Sequence, residues 1–277
     1  MTGQGGYPSG MSAIVSTDHW ITHPAGRMFA REWRAEGLEP AGAPLVLLHD
    51  SLGCVELWRE FPALLAVATG RRVIAYDRLG FGRSDARAAR PSARFVAEEA
   101  TTAFPAVREQ LGIARFVAIG HSVGGGMAVE IAAHEPQDCV ALVTLSAQAF
   151  VEDRTIAGLR VAEQHFADPL QVERLSRYHG DKAAWALDAW LGTWLDPDYA
   201  GWTLAEALSR VACPVLAIHG AQDEYGSPAH PRLIGERAGG PAQVEILEGV
   251  GHLPHREQPE LVVRLIADFL LLVLPVL

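Results

Sequence analysis

The segment Gly120-His121-Ser122-Val123-Gly124 places a hydroxyl between two glycines at the spacing of a tight strand-to-helix turn. The residues before it, Phe116 to Gly120, form a short apolar run with strand character, and those after it read as a helix to about His134. Glycine on both sides tolerates unusual backbone angles and lets neighbouring chains approach where side chains would block them. Ser122 is therefore expected to stand above a sheet edge. The free N–H groups and positive dipole end of the following helix would lie beside it, where a negatively charged oxygen would be favoured.

A serine hydroxyl is a weak nucleophile until a base takes its proton. Of the eleven histidines, His252 has the most suitable setting, in Gly249-Val-Gly-His252-Leu-Pro. That loop follows the last strand-like run, Val244 to Leu247, and precedes a terminal helix expected to start near Glu257. His255 is its close rival. His49 and His219 end strand-like runs and are read as satisfying backbone groups or shaping the pocket. The base in turn needs a carboxylate to fix its tautomer and stabilise its charge. Asp223, in the polar turn Gly220-Ala-Gln-Asp223-Glu224, is the candidate, with Glu224 as the alternative. A lone Asp in such a turn is often a turn residue and nothing more, but the chain order Ser122, Asp223, His252 suits a nucleophile elbow of this kind. The oxyanion donors are expected to be the backbone N–H groups of Val123 and Ser51, each worth roughly 3 kcal/mol of transition-state stabilisation.

These side chains need a scaffold that brings three loops together. Ile14 to Trp33 alternates loosely around Pro24-Ala25-Gly26, which predicts a hairpin. Pro44 to His49, Arg72 to Asp77, Phe116 to Gly120, Val140 to Thr144, Pro214 to His219 and Val244 to Leu247 are short apolar runs of the kind that form parallel strands buried on both faces. A helix is predicted over roughly Val55 to Thr69, and helical stretches separate most of the other runs. The fold class is thus α/β, a mostly parallel central sheet with helices on both faces, and chemistry gathers at the carboxyl ends of its strands. The alternation fails once, over residues 149–209, where a helical cap is expected to be inserted after the sixth strand. Residues 13–148 and 210–277 form the core and residues 1–12 a flexible tail. The cap segment holds Trp185, Trp190, Trp194 and Trp202 of the seven tryptophans. These rings either line an apolar pocket or fill the cap's own core.

Composition narrows the partners. The 277 residues are 49% hydrophobic and 20% charged, with a net charge of -10 and a pI near 5.5. A small-molecule substrate is expected; a polyanion such as nucleic acid would be repelled. Cys54, Cys139 and Cys213 show neither a disulfide pattern nor metal-ligand spacing, so no metal is expected and a reducing cytoplasm suits them. The residues from Met1 to Gly10 lack the basic and apolar regions of a secretory signal. Phe269 to Leu277 is apolar but far short of the roughly 20 residues that span a bilayer. It is expected to be the buried end of a helix, with a homo-oligomer contact as the alternative.

With these residues in place, the chain resembles the α/β-hydrolase superfamily from about Ile14 to Leu270. Besides the elbow, Asp77-Arg-Leu-Gly80-Phe-Gly82-Arg-Ser84 is similar to that superfamily's D-x-x-G-x-G-x-S turn, and Gly251-His252 with Glu257-Gln-Pro259-Glu260 to its G-H-x-x-x-x-E-x-P-E ending. The resemblance implies that Asp77 and Ser84 are structural loop residues. The departure is His49-Asp50-Ser51-Leu52-Gly53, where Asp50 replaces the usual glycine ahead of the oxyanion residue; a carboxylate there would oppose an oxyanion unless it is turned away or paired. The Ser51 hydroxyl is an alternative oxyanion donor to its N–H. Cys54 is read as a buried helix-start residue.

A serine at the elbow implies acyl chemistry, since the superfamily's dehalogenases and epoxide hydrolases use an aspartate there. Carboxylic-ester hydrolysis of a small to medium apolar substrate is the leading expectation. Lactone or carbon-carbon bond hydrolysis by the same triad, and a non-catalytic ligand-binding protein on this fold, are the alternatives. No metal or organic cofactor is implied. Around the triad, His49, Asp50, His121, Trp185, Trp190 and Trp194 are the expected pocket residues.

Overall fold

Short runs of Val, Ile, Leu and Ala that are apolar on both faces can be satisfied only in the middle of a layered structure, and they form the centre of the sheet here. The computed structural model describes residues 13–37 and 39–274; the expected tail at residues 1–12 lies outside them. The strands are β1 (Ile14–His23), β2 (Gly26–Ala35), β3 (Leu45–Leu48), β4 (Val73–Tyr76), β5 (Phe116–His121), β6 (Cys139–Leu145), β7 (Val215–Gly220) and β8 (Ala242–Leu247). They pair in the order β1-β2-β4-β3-β5-β6-β7-β8. β1, β2 and β4 meet antiparallel and all later pairings are parallel. The carboxyl ends of β3, β5, β6, β7 and β8 therefore open on one edge.

The helices are α1 (Phe61–Thr69), α2 (Phe95–Thr101), α3 (Ala103–Gln110), α4 (Val123–His134), α5 (Asp153–Phe166), α6 (Pro169–His179), α7 (Ala183–Trp194), α8 (Ala205–Arg210), α9 (Ala229–Arg237), α10 (Pro254–Glu257) and α11 (Pro259–Val273). Two apolar clusters fill the two faces of the sheet. One joins Val46, Ile74, Ala118 and Leu142 to Phe104, Met127, Leu208 and Ile234 of α3, α4, α8 and α9. The other joins Leu45, Leu47, Val117, Val143 and Leu216 to Leu65 of α1 and Val262, Ile266 and Phe269 of α11.

Two local expectations are corrected and a third holds. The helix predicted over Val55 to Thr69 is a 3-10 turn at Val55–Trp58 followed by α1, broken at Arg59, whose φ of 53° no helix continues. The terminal helix begins close to its expected start: Pro259 disfavours helical backbone in the residue before it, and Gln258, at φ -138°, ψ 59°, separates α11 from the short α10. Of the apolar run Phe269 to Leu277, residues 275–277 lie outside the described residues, and the rest is only partly buried. Phe269 and Leu270 pack on the sheet while Leu271 and Leu272 are 64% and 77% exposed, because consecutive residues turn about 100° around a helix and cannot all face one side.

Between β6 and β7 the chain leaves the sheet and forms α5 to α8. Its ends are stitched together by an antiparallel bridge between Phe150 and Thr203 and by the Leu204 N–H donating to Ala149 O at 2.8 Å. The Glu152 carboxylate, just before α5, accepts from the Ser227 N–H at 2.6 Å and Ser227 Oγ at 3.0 Å and lies 3.1 Å from His230 Nε2. Among the described residues no helix is long and apolar enough to cross a membrane.

Candidate active site

Ser122 sits between β5 and α4 with φ 55° and ψ -126°. Crowding accounts for the glycines around it. A Cβ on Gly120 would lie 2.0 Å from Gly124 O, and one on Gly124 would lie 2.2 Å from Leu48 O. Both obstacles are backbone, so β3, β5 and α4 approach this closely only without side chains at these positions. Among the described residues neither the Val123 nor the Ser51 N–H is taken by another acceptor, as a first helical residue and a free loop would have it.

The carboxyl ends of β7 and β8 supply the next two groups. Asp223 is fully buried. Its Oδ1 accepts from the Tyr225 and Gly226 N–H groups at 2.8 and 3.2 Å, and its Oδ2 lies 2.8 Å from His252 Nδ1. Because an ionised carboxylate only accepts, the proton on His252 belongs on Nδ1 and Nε2 is left as the basic nitrogen. Burial pushes the His252 imidazole down, but the Asp223 hydrogen bond and charge outweigh it and leave it above its ordinary value. For Asp223 burial works toward the neutral acid, and again the His252 bond prevails, holding it below the usual carboxylate range. Glu224 is exposed at the cavity rim and does not make this contact. His255 is buried against Trp58, Phe61 and His121, with ring centroids 4.9, 5.4 and 4.7 Å away.

Ser122 and His252 line one cavity of about 640 Å³ together with Asp50, Ser51 and His121, within the size range of small-molecule sites. The insertion closes it with Thr155, Leu159, Phe166, Leu175, Trp190 and Trp194. Trp190 also meets the Tyr225 ring edge-on at 5.9 Å. Two expected pocket residues lie elsewhere. His49 is buried beneath the loop, where its Nε2 accepts from the Arg78 N–H at 3.1 Å. Trp185 packs edge-on against Phe81 at 5.5 Å and covers Gly80. Trp202 stacks on Tyr199 at 5.6 Å, so these two tryptophans pack on the protein's own side chains and do not line the cavity. Asp77 and Ser84 do the loop work their motif implies: Asp77 accepts from the Val55 and Arg83 N–H groups at 2.6 and 2.7 Å, and Ser84 Oγ accepts from the Phe29 N–H and donates to Asp77 O. Cys54 is buried.

Sequence reasoning missed Gln148. It is buried just beyond β6, lines the cavity, and accepts the Ser122 hydroxyl at 3.2 Å through Oε1. Its position at the carboxyl end of a central strand was the one available signal. Tyr225, whose ring lies 4.8 Å from His252, follows the Asp223 turn and was equally unmarked. Among the described residues no group of three or more His, Cys, Asp or Glu side chains is placed to hold a metal ion.

The sequence and fold have relatives. A proline iminopeptidase of Lactobacillus delbrueckii subsp. bulgaricus is 30% identical over 145 residues, 51% of this chain and 44% of its own length. A 2-hydroxymuconate semialdehyde hydrolase of Pseudomonas sp. (strain CF600) is 27% identical over 262 residues, 83% of this chain and 87% of its own. Four curated relatives at 30% to 41% identity, the iminopeptidase among them, are matched over only 37% to 45% of their own length. In structure, a proline iminopeptidase of Mycobacterium smegmatis superposes with a TM-score of 0.69 at 24% identity, covering 92% of this chain and 97% of that one, a likeness of fold. A family model described as the alpha/beta hydrolase fold matches residues 43–188, more than half of the 277 residues, and by that match the chain belongs to this family.

Proposed function

We propose that this chain is a serine hydrolase that cleaves a carboxylic ester of a small to medium apolar substrate through an acyl-enzyme. The observation that carries the reading is the 2.8 Å contact between His252 Nδ1 and the buried Asp223 Oδ2, with His252 and the strained Ser122 lining one cavity. In the reaction the Ser122 hydroxyl turns from Gln148 to His252 Nε2, gives up its proton and attacks the acyl carbon. The tetrahedral oxygen takes hydrogen bonds from the Val123 and Ser51 N–H groups. His252 then protonates the leaving alcohol, and a water activated by the same imidazole releases the acid. The helices between β6 and β7 serve as a cap whose apolar residues hold the substrate.

Incubating the folded protein with a fluorophosphonate and measuring the intact mass tests this directly. A single adduct that maps to Ser122 is expected; an unmodified protein overturns the reading. Carbon-carbon bond hydrolysis is the second reading, favoured by the near full-length match to the 2-hydroxymuconate semialdehyde hydrolase. Comparing turnover of aryl esters with that of a ring-fission diketone separates the two.

The Ser122 hydroxyl donates to Gln148 Oε1 and must give up that bond to hand its proton to the base. A net hydrogen bond contributes about 1 kcal/mol, so Gln148→Ala is expected to raise the rate of phosphonylation by a fluorophosphonate roughly 5-fold. A slower rate would mean that the Gln148 amide assists the reaction instead.

A further inference from the structure

The carboxylate of Asp50 stands one residue before the proposed oxyanion donor and lines the same cavity, with 29% of its side chain exposed. An uncompensated negative charge at this point would oppose the oxyanion. Its oxygens are, however, occupied: Oδ1 accepts from the Leu52 N–H at 2.9 Å and Oδ2 lies 3.2 Å from His121 Nδ1. The loop is held from behind as well, since the Asp50 main-chain oxygen accepts from Arg78 at 2.7 Å and lies 2.7 Å from His49 Nδ1.

His121 is almost wholly buried, and its other nitrogen, Nε2, lies 2.8 Å from the main-chain oxygen of His252. A backbone carbonyl and an ionised carboxylate are both acceptors only. A neutral imidazole has one N–H and can satisfy one of them. Both contacts are hydrogen bonds together only if the ring carries two protons or the Asp50 carboxyl carries one. The second arrangement is disfavoured: burial raises the Asp50 carboxyl, but the hydrogen-bond contact with His121 outweighs it and holds the group well below the usual carboxylate range. The other charged or titratable groups nearby are His255, His252 and Arg256 from the β8 side and Arg78 behind the loop. Asp50 is the one anion in hydrogen-bond contact with the His121 ring among the described residues.

We propose that His121 is held as an imidazolium that cancels the Asp50 charge beside the oxyanion and, through its second N–H, ties the main chain of His252 to the nucleophile elbow. Its functional part rests on Ser122, Ser51 and Val123 acting as stated under the proposed function; the charge state of the ring does not. His121 and Asp50 are positioning residues: neither touches the reacting atoms, and together they allow a carboxylate on a loop that must receive negative charge.

The test separates charge from shape. With an aryl ester as probe, His121→Gln strands the Asp50 carboxylate and is expected to lower kcat roughly 100-fold, the scale of losing one oxyanion donor, with KM little changed. Asp50→Asn removes the opposing charge and keeps an acceptor for Leu52, so its loss is expected to stay within about 5-fold. The double variant is expected to recover at least about 10-fold over His121→Gln, the coupling of two groups in contact. Equal loss in both single variants with no recovery in the double overturns the charge-cancelling role. Independently, 15N NMR of the wild-type side chains is expected to show protons on both His121 ring nitrogens at pH 7; one protonated nitrogen overturns the imidazolium whether or not the variants fold. A wild type that takes no fluorophosphonate on Ser122 would sink the proposed function and leave the NMR result standing.

Discussion

Ser122→Ala is expected to lower kcat for an aryl ester by about 10⁴- to 10⁶-fold, the range seen when a nucleophile is removed from a unit of interdependent groups. Alanine keeps the Cβ, and the φ of 55° at this position strains either residue similarly. The hydroxyl's 3.2 Å bond to Gln148 is its one hydrogen bond among the described residues, so the melting temperature should move by only a few degrees, about 1 kcal/mol in a chain of this size. Full turnover in the variant would mean that another group attacks. A large drop in melting temperature alongside the lost turnover would make the serine a structural residue of the elbow.

The second large effect concerns Asp223. Asp223→Asn is expected to cost about 10⁴-fold in kcat, because an amide facing Nδ1 can donate a proton and so favours the tautomer with Nε2 protonated, which cannot act as base. The pH profile adds a signature. The base form of His252 is needed, so kcat/KM should climb with pH through the His252 titration and level off above it. Burial lowers that imidazole and Asp223 raises it to above its ordinary 6.5. Removing the carboxylate leaves only the charges of Glu224 and Asp50 against burial, and the acid limb should shift to lower pH even as the plateau falls. An acid limb that stays where it is in the variant assigns it to a different group.

The elbow could be read from sequence because its constraint is local: Gly120 and Gly124 face backbone atoms, and only glycine meets that demand. The strands were legible for the same reason, since a run apolar on both faces has few places to go, and Leu45, Val73, Phe116, Val140 and Val215 all lie inside strands or at their ends. The pocket was legible in part: Asp50, His121, Trp190 and Trp194 line it, while His49 and Trp185 do not. Trp185 and Trp190 are five positions apart on α7, and a helix turns them to different sides, one toward Phe81 and one toward Tyr225. Gln148 carries no motif, and its meeting with Ser122 depends on how β6 sits beside β5, a long-range fact. Asp50 shows the intermediate case. Its departure from the family pattern was visible, while its partner His121, seventy-one positions away, was found only when the chain was folded.

The paired ends of the segment between β6 and β7 have a consequence for how such a protein diversifies. Because Phe150 and Thr203 are bridged side by side, everything strung between them begins and finishes at nearly one point on the rim. That stretch could be exchanged for a longer, shorter or differently shaped one without shifting a single rung of the sheet beneath. Part of the cavity wall would then be carried on one piece of chain and the candidate triad on another, and swapping the segment would reshape the cavity above an unchanged sheet.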